Sequence, residues 1–178
     1  MKSILILSAS GRKGGNSETL ASEFGKGASV AGHHVEMVSL RDKGIGYCRG
    51  CLTCQKTMRC VIHDDAEEIT QKMLGADVIV FATPIYFFEM SGQMKTMIDR
   101  TNPLFPADYA FRDVYLLATA AETDAHAMDG AIKGLQGWIE CFDKTELKGV
   151  ISATGVTDVG DIQGSPALVQ AFEMGKTV

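Results

Sequence analysis

The chain has 178 residues, 46% of them hydrophobic and 22% charged, with a formal net charge of −5. That length suits one domain, residues 1–178, with a core large enough to need no cross-links, and an acidic balance without a long basic run argues against nucleic acid as a partner. The apolar run Ile4 to Leu7 is too short for a signal peptide or a membrane helix, so the cytoplasm is the expected location and no membrane partner is expected.

Ile4-Leu5-Ile6-Leu7 reads as a buried strand. A helix is expected from Ser17 to about Gly32, with Leu20, Ala21, Phe24 and Ala28 on one face. His34 to Leu40 alternates and gives a second strand. Residues 41–63 fit neither period; with Gly44, Gly46, Gly50 and a group of cysteines they read as a Cys-rich inserted loop after strand 2. Asp65 is expected to open the next helix as its cap, with Glu68 completing a capping box and Ala66, Ile69 and Met73 inside. Asp77 to Ala82 is the third strand, ended by Thr83-Pro84. Ser91 caps a helix carrying Met94, Met97 and Ile98. Val114 to Ala118 is the fourth strand, and the helix after it spaces Met128, Ile132, Leu135, Ile139 and Phe142 by fours and threes. Gly149 to Ala153 is the fifth strand, and a helix from Pro166 to Gly175 closes the chain.

Apolar strands alternating with amphipathic helices imply an α/β fold, a parallel sheet with helices on both faces. Right-handed crossovers leave few topologies. The expected order is 2-1-3-4-5, five strands in a three-layer sandwich. Ligands in such a sheet bind at the carboxyl ends of the strands, beside the switch point between strands 1 and 3. The loops after Leu7, Ala82 and Ala118 are therefore where a site is expected.

The first of these loops, Ser8-Ala9-Ser10-Gly11-Arg12-Lys13-Gly14-Gly15-Asn16-Ser17, runs from a strand into a helix. Its amides and the helix dipole can cradle an anion, with Ser8, Ser10, Asn16 and Ser17 as neutral donors and Arg12 as a charged one. It lacks both the dinucleotide fingerprint and the nucleotide-triphosphate Gly-Lys-Ser/Thr ending, so a phosphate monoester fits better than a pyrophosphate. By itself it is equally an ordinary Gly/Ser-rich turn. The second loop, Thr83-Pro84-Ile85-Tyr86-Phe87-Phe88-Glu89-Met90, places three aromatics and an isoleucine at a strand's end, where they suit a flat ring or, alternatively, a hydrophobic lid or subunit contact. The two loops are neighbours in this topology, and FMN supplies both a phosphate and a planar ring.

These residues carry a resemblance to the NAD(P)H-dependent FMN reductases of flavodoxin-like fold, and within them to the iron–sulfur flavoproteins. The matching stretches are Ser8-Ala9-Ser10-Gly11-Arg12 with Asn16-Ser17, Cys48-x-x-Cys51-x-x-Cys54 with Cys60 and Asp64-Asp65, Ala76-Asp77, Thr83-Pro84-Ile85-Tyr86, and Lys95-x-x-x-Asp99-Arg100. The resemblance covers the first 100 or so residues well and the rest by pattern. It implies FMN phosphate at the first loop, the flavin ring at Pro84, Ile85, Tyr86, Phe87 and Phe88, and Thr119-Ala120-Ala121 along the ring's other edge. It also implies NAD(P)H as electron donor and a homodimer or homotetramer whose neighbouring subunit helps close the site.

The spacing Cys48-x2-Cys51-x2-Cys54-x5-Cys60 lets four thiols approach one centre. A [4Fe–4S] cluster, metal-free redox thiols and structural zinc all suit this donor set. Arg49, Lys56 and Arg59 would offset cluster charge or lower thiol pKa values, or form a solvated face. His63 beside Asp64 reads as a surface hydrogen-bonder, Cys141 as a buried cysteine without chemistry, Trp138 as core or interface, and Asp99-Arg100 as a helix-end ion pair. No protein acid or nucleophile is required, since FMN would do the chemistry. Within this fold, a response regulator needs an acidic site where Ser8 stands, a small tyrosine phosphatase needs a cysteine within residues 8–17, and a lipase needs Gly-x-Ser-x-Gly; none is present. The remaining rival to an FMN-dependent oxidoreductase is a non-enzymatic electron carrier or redox sensor with the same cofactor.

Overall fold

The computed structural model describes all 178 residues. The strands are β1 (Ser3–Ser8), β2 (His34–Ser39), β3 (Val78–Tyr86), β4 (Glu89–Met90), β5 (Asp113–Thr119) and β6 (Glu146–Ala153). The helices are α1 (Asn16–Val30), α2 (Cys54–Thr57), α3 (Asp65–Gly75), α4 (Gly92–Asp99), α5 (Asp129–Ile139) and α6 (Pro166–Lys176). The sheet runs β2-β1-β3-β5-β6 with every pair along that path parallel. The expected order is therefore found, but the sheet has a sixth strand: β4 pairs antiparallel with the end of β3.

Burial explains the layering. Helices α1 and α6 cover one face of the sheet, where Leu20, Ala21, Phe24 and Ala28 of α1 are completely buried. Helices α3, α4 and α5 cover the other face, around Met73, Met94, Met97 and Leu135. Each Leu or Phe buried in this way stabilises the fold by about 2–3 kcal/mol. The Trp138 ring lies in this second core, stacks on Phe111 and donates its indole N–H to Thr101 Oγ1 at 2.8 Å.

Three local expectations are corrected. Strand β3 does not end at Thr83-Pro84 but continues to Tyr86. Ala82 turns its carbonyl to β1, accepting from the Ala9 amide, so Pro84 faces the same side two residues on. There β1 has already ended at Ser8, and the missing proline N–H leaves no ladder bond unmade. The cap of α3 is Asp64, whose side chain accepts from the Ala66 amide, and not Asp65. Asp65 instead accepts from the Gly44 amide and pairs with Lys43. Within residues 41–63, a single helical turn, α2, forms where no helix is expected.

Candidate functional site

The carboxyl ends of β1, β3, β5 and β6 enclose a cleft of about 330 Å³, within the usual size range of small-molecule sites. Ser10, Gly11, Arg12, Gly15, Asn16 and Ser17 line one part of it, Pro84, Ile85 and Tyr86 another, and Thr119, Ala121, Val156 and Thr157 the remainder.

The loop after β1 is shaped by its own contacts. Ser10 Oγ donates to the Arg12 carbonyl at 2.7 Å, and the Gly15 amide donates to the same oxygen at 3.1 Å. A side chain at Gly15 would meet Ser10 Oγ at 2.4 Å and displace the hydroxyl that closes the curl. The backbone amides of Gly11, Arg12 and Lys13 have no acceptor within the protein, and Gly11 opens onto free space. These donors sit just ahead of the positive end of the 15-residue helix α1, an arrangement that favours an anion. Asn16 and Ser17 are buried at the helix start, with Asn16 bridging to the segment after β6.

On the opposite wall, Thr83 Oγ1 accepts from the Ser91 amide at 3.0 Å, and Ser91 Oγ caps α4 by accepting from the Met94 amide. This fixes the exit of β3 and with it Pro84, Ile85 and Tyr86. Tyr86 leaves about half of its surface open to solvent.

Not every expected residue reaches the cleft. Ser8 is wholly buried as the last residue of β1, and its hydroxyl has no partner. Ala120 is buried, its amide held by the Ala153 carbonyl. Phe87 and Phe88 form the two-residue turn between β3 and β4, which aims them away from the cleft lining and into solvent. Gly15, Val156 and Thr157 line the cleft without having been singled out in the sequence. The signal for the last two was available, because β6 is also a parallel strand whose carboxyl end points to this edge.

The cysteine loop lies apart from the cleft. Cys48 and Cys51 are exposed, Cys60 is half-buried and Cys54 is buried, all as free thiols. Burial, and then the charge of Cys60, push the Cys54 thiol up, with smaller contributions from Cys51 and Cys48. The Thr53 amide and hydroxyl hold the Cys51 thiol down. The four thiols therefore sense one another, yet no three His, Cys, Asp or Glu side chains converge closely enough to hold an ion. Arg100 organises the loop's base. Its guanidinium binds the Gly46 carbonyl at 2.7 Å, the Ile62 carbonyl at 3.0 Å, Cys60 Sγ at 3.4 Å and the Asp64 carboxylate. This corrects the Asp99–Arg100 pairing, since Asp99 pairs with Lys95 one turn earlier. His63 contacts Glu67 at the surface. Cys141 is exposed rather than buried, because α5 has ended at Ile139 and the thiol turns back to the Gly137 carbonyl.

A doubly wound sheet with a polar loop after its first strand and a ligand-sized cleft at the switch point defines a flavodoxin-like protein. The family model for NADPH-dependent FMN reductase matches residues 2–157, and the chain belongs to that family. It is 38% identical over 101 residues to an iron-sulfur flavoprotein of Methanocaldococcus jannaschii, covering 57% of this chain and 52% of the relative. It is 28% identical over 161 residues to an iron-sulfur flavoprotein of Methanosarcina thermophila, covering 90% of this chain and 82% of the relative. The match spans about half the length of most of the curated relatives. Among solved structures, an azoreductase of Bacillus anthracis superposes with a TM-score of 0.75 at 17% identity, covering 100% of each chain. No helix is long and apolar enough to cross a membrane.

Proposed function

We propose that residues 1–178 form one FMN-binding unit that catalyses NAD(P)H-dependent reduction of small molecules such as quinones or free flavin. The observation that carries this reading is the pairing, in one cleft, of a glycine-rich curl with three unpaired amides at Gly11, Arg12 and Lys13 with the apolar strand end Pro84-Ile85-Tyr86. The curl suits a phosphate monoester; the strand end suits the face of a ring. The curl's amides, with Asn16 and Ser17, would fix the phosphate while Ser10, its hydroxyl proton given to the Arg12 carbonyl, holds the curl in shape; Arg12 would offset the charge, and Thr119 and Ala121 would border the ring. FMN, when bound, supplies the hydride chemistry. The chain's part would be to hold the phosphate on the curl and the ring against Pro84, Ile85 and Tyr86, with backbone amides as donors toward it. Membership of a reductase family favours the enzyme over the electron carrier. The five free thiols support a reducing compartment such as the cytoplasm.

Titration of the chain with FMN and with riboflavin tests the reading. FMN fluorescence is expected to quench on binding, with riboflavin binding at least about tenfold more weakly because the curl's donors lose their anion. A chain that leaves FMN fluorescence unchanged sinks it.

The four-thiol loop is chemically suited to a [4Fe–4S] cluster, and relatives are named iron-sulfur flavoproteins. Iron and sulfide analysis of anaerobically purified protein separates a cluster from zinc and from free thiols.

A further inference from the structure

A second cavity, of about 460 Å³, opens between the end of α4, the turn that follows it and the end of α5. It shares no residue with the cleft at the strand ends. Phe105, Trp138 and Phe142 give it an aromatic wall, with ring centres 4.7 Å apart for Trp138 and Phe142 and 6.1 Å apart for Phe105 and Phe142. Trp138 is held in place by the bond from its indole N–H to Thr101 Oγ1, while Phe105 leaves about half of its surface open. At the rim, the Lys95 ammonium gives one of its three protons to Asp99 at 2.6 Å and keeps donors for a further acceptor. Two free thiols, Cys48 and Cys141, open into this space, whereas Cys51, also exposed, does not.

We propose that this cavity is a second small-molecule site, one that takes a quinone, and that Cys141 is the side chain the quinone arylates. The inference stands apart from the FMN reading, since it uses no residue of the cleft. A flat ring stacks on the aromatic wall, and a ring carbonyl accepts from Lys95. Cys141 is the nucleophile because it lies outside the Cys48-to-Cys60 set and stays free whatever that loop holds. Its thiol is kept at the cavity's edge by a bond to the Gly137 carbonyl at 3.4 Å. In the reaction the thiol loses its proton to water and the thiolate sulfur bonds to a ring carbon of the C=C. The C=C electrons move onto the carbonyl oxygen, which takes a proton back from water. Transfer of the ring C–H proton to the second oxygen then leaves a hydroquinone thioether. One thiol and one quinone give one adduct, the quinone being itself the oxidant.

The test follows Cys141 in the full chain as purified, without NAD(P)H so that the quinone stays oxidised. Naphthoquinone is added at increasing concentration, and the adduct at Cys141 is quantified by peptide mass. The rate is expected to saturate, as binding before bond formation requires, whereas a thiol that is merely exposed reacts in linear proportion to the reagent. Phe105→Ala, which removes the open part of the wall, is expected to raise the half-saturating concentration by at least about threefold. Iodoacetamide, which has no ring, is expected to alkylate Cys141 at the same rate in both proteins. A linear rate or no adduct at Cys141 overturns the proposal. So does a half-saturating concentration in Phe105→Ala within about threefold of wild type, or a variant slowed equally toward iodoacetamide.

Discussion

Arg100 and Asp64 form a two-point ion pair, Nη1 to Oδ2 at 2.7 Å and Nη2 to Oδ1 at 2.9 Å, with only 1% of the Arg100 side chain exposed. The pair joins the end of α4 to the base of the cysteine loop, 36 residues away in sequence. Removing one partner strands the other charge in the interior. Asp64→Asn is expected to destabilise the fold by about 3 kcal/mol. Arg100→Met combined with Asp64→Leu removes both charges, but also the Arg100 bonds to the Gly46 and Ile62 carbonyls and the Asp64 cap of α3, so it is expected to cost less than the sum of the two single changes rather than nothing. Urea unfolding of both single variants and of the double decides, since costs that simply add would mark a merely decorative pair.

The same pair sets an acid limit. Burial works against the Asp64 charge, yet Arg100 and the Gly46 and Ala66 amides together hold its carboxyl below the ordinary range. A depressed folded pKa means that the contribution is complete above the unfolded value, near 3.9, and is lost as pH falls through the folded value. Wild-type stability is expected to drop on acidification below about pH 4, with a shallower drop in Asp64→Asn. Urea midpoints measured across that range, equal in slope for both proteins, would refute the assignment.

Helices α1 and α6 touch through glycine. A Cβ on Gly175 would lie 2.1 Å from the Phe24 carbonyl oxygen, and one on Gly27 would lie 1.9 Å from that of Phe172. Both obstacles are backbone, so neither can swing aside. Helix propensity alone favours alanine over glycine by about 1 kcal/mol. Here the sign is expected to reverse, with Gly175→Ala costing about 2 kcal/mol through forced separation of the helices. Gly137→Ala on α5, with nothing within 4 Å, is the control and is expected to be neutral or stabilising. Equal effects at both positions would refute the close approach.

Periodicity made the layers legible: the residues assigned to the inner face of α1, Leu20, Ala21, Phe24 and Ala28, are all fully buried. The curl was legible because glycine and serine impose their conformations locally, whereas Pro84 read as the stop of β3 and the strand runs on to Tyr86. What was not legible depends on distant partners. Whether Asp64 or Asp65 caps α3 is settled by Arg100 and Gly44, which claim one carboxylate each. Val156 and Thr157 enter the cleft through bonds to residues more than 30 positions away, such as Ala120 and Arg12. No local pattern announces these contacts. The turn at Phe87 and Phe88 was hidden for the opposite reason, since its residues contradict local preference.

That contradiction carries the last prediction. Phe87 and Phe88 have φ of +52° and +64°, the conformation of a type I′ hairpin turn, which favours Asn-Gly. An L-residue held there costs roughly 1–2 kcal/mol. Neither ring is buried in return: Phe87 is fully exposed and Phe88 more than half exposed. Strain kept without intramolecular compensation fits a contact made by the turn outside this chain, and a second copy of the chain is the partner that the following variant tests. Phe87→Asn with Phe88→Gly is expected to raise the unfolding free energy of the isolated chain by about 2 kcal/mol while weakening self-association. Urea unfolding at low concentration and sedimentation velocity at high concentration read the two effects separately. A variant that gains stability and still assembles like wild type removes the subunit contact as the reason for the strained turn.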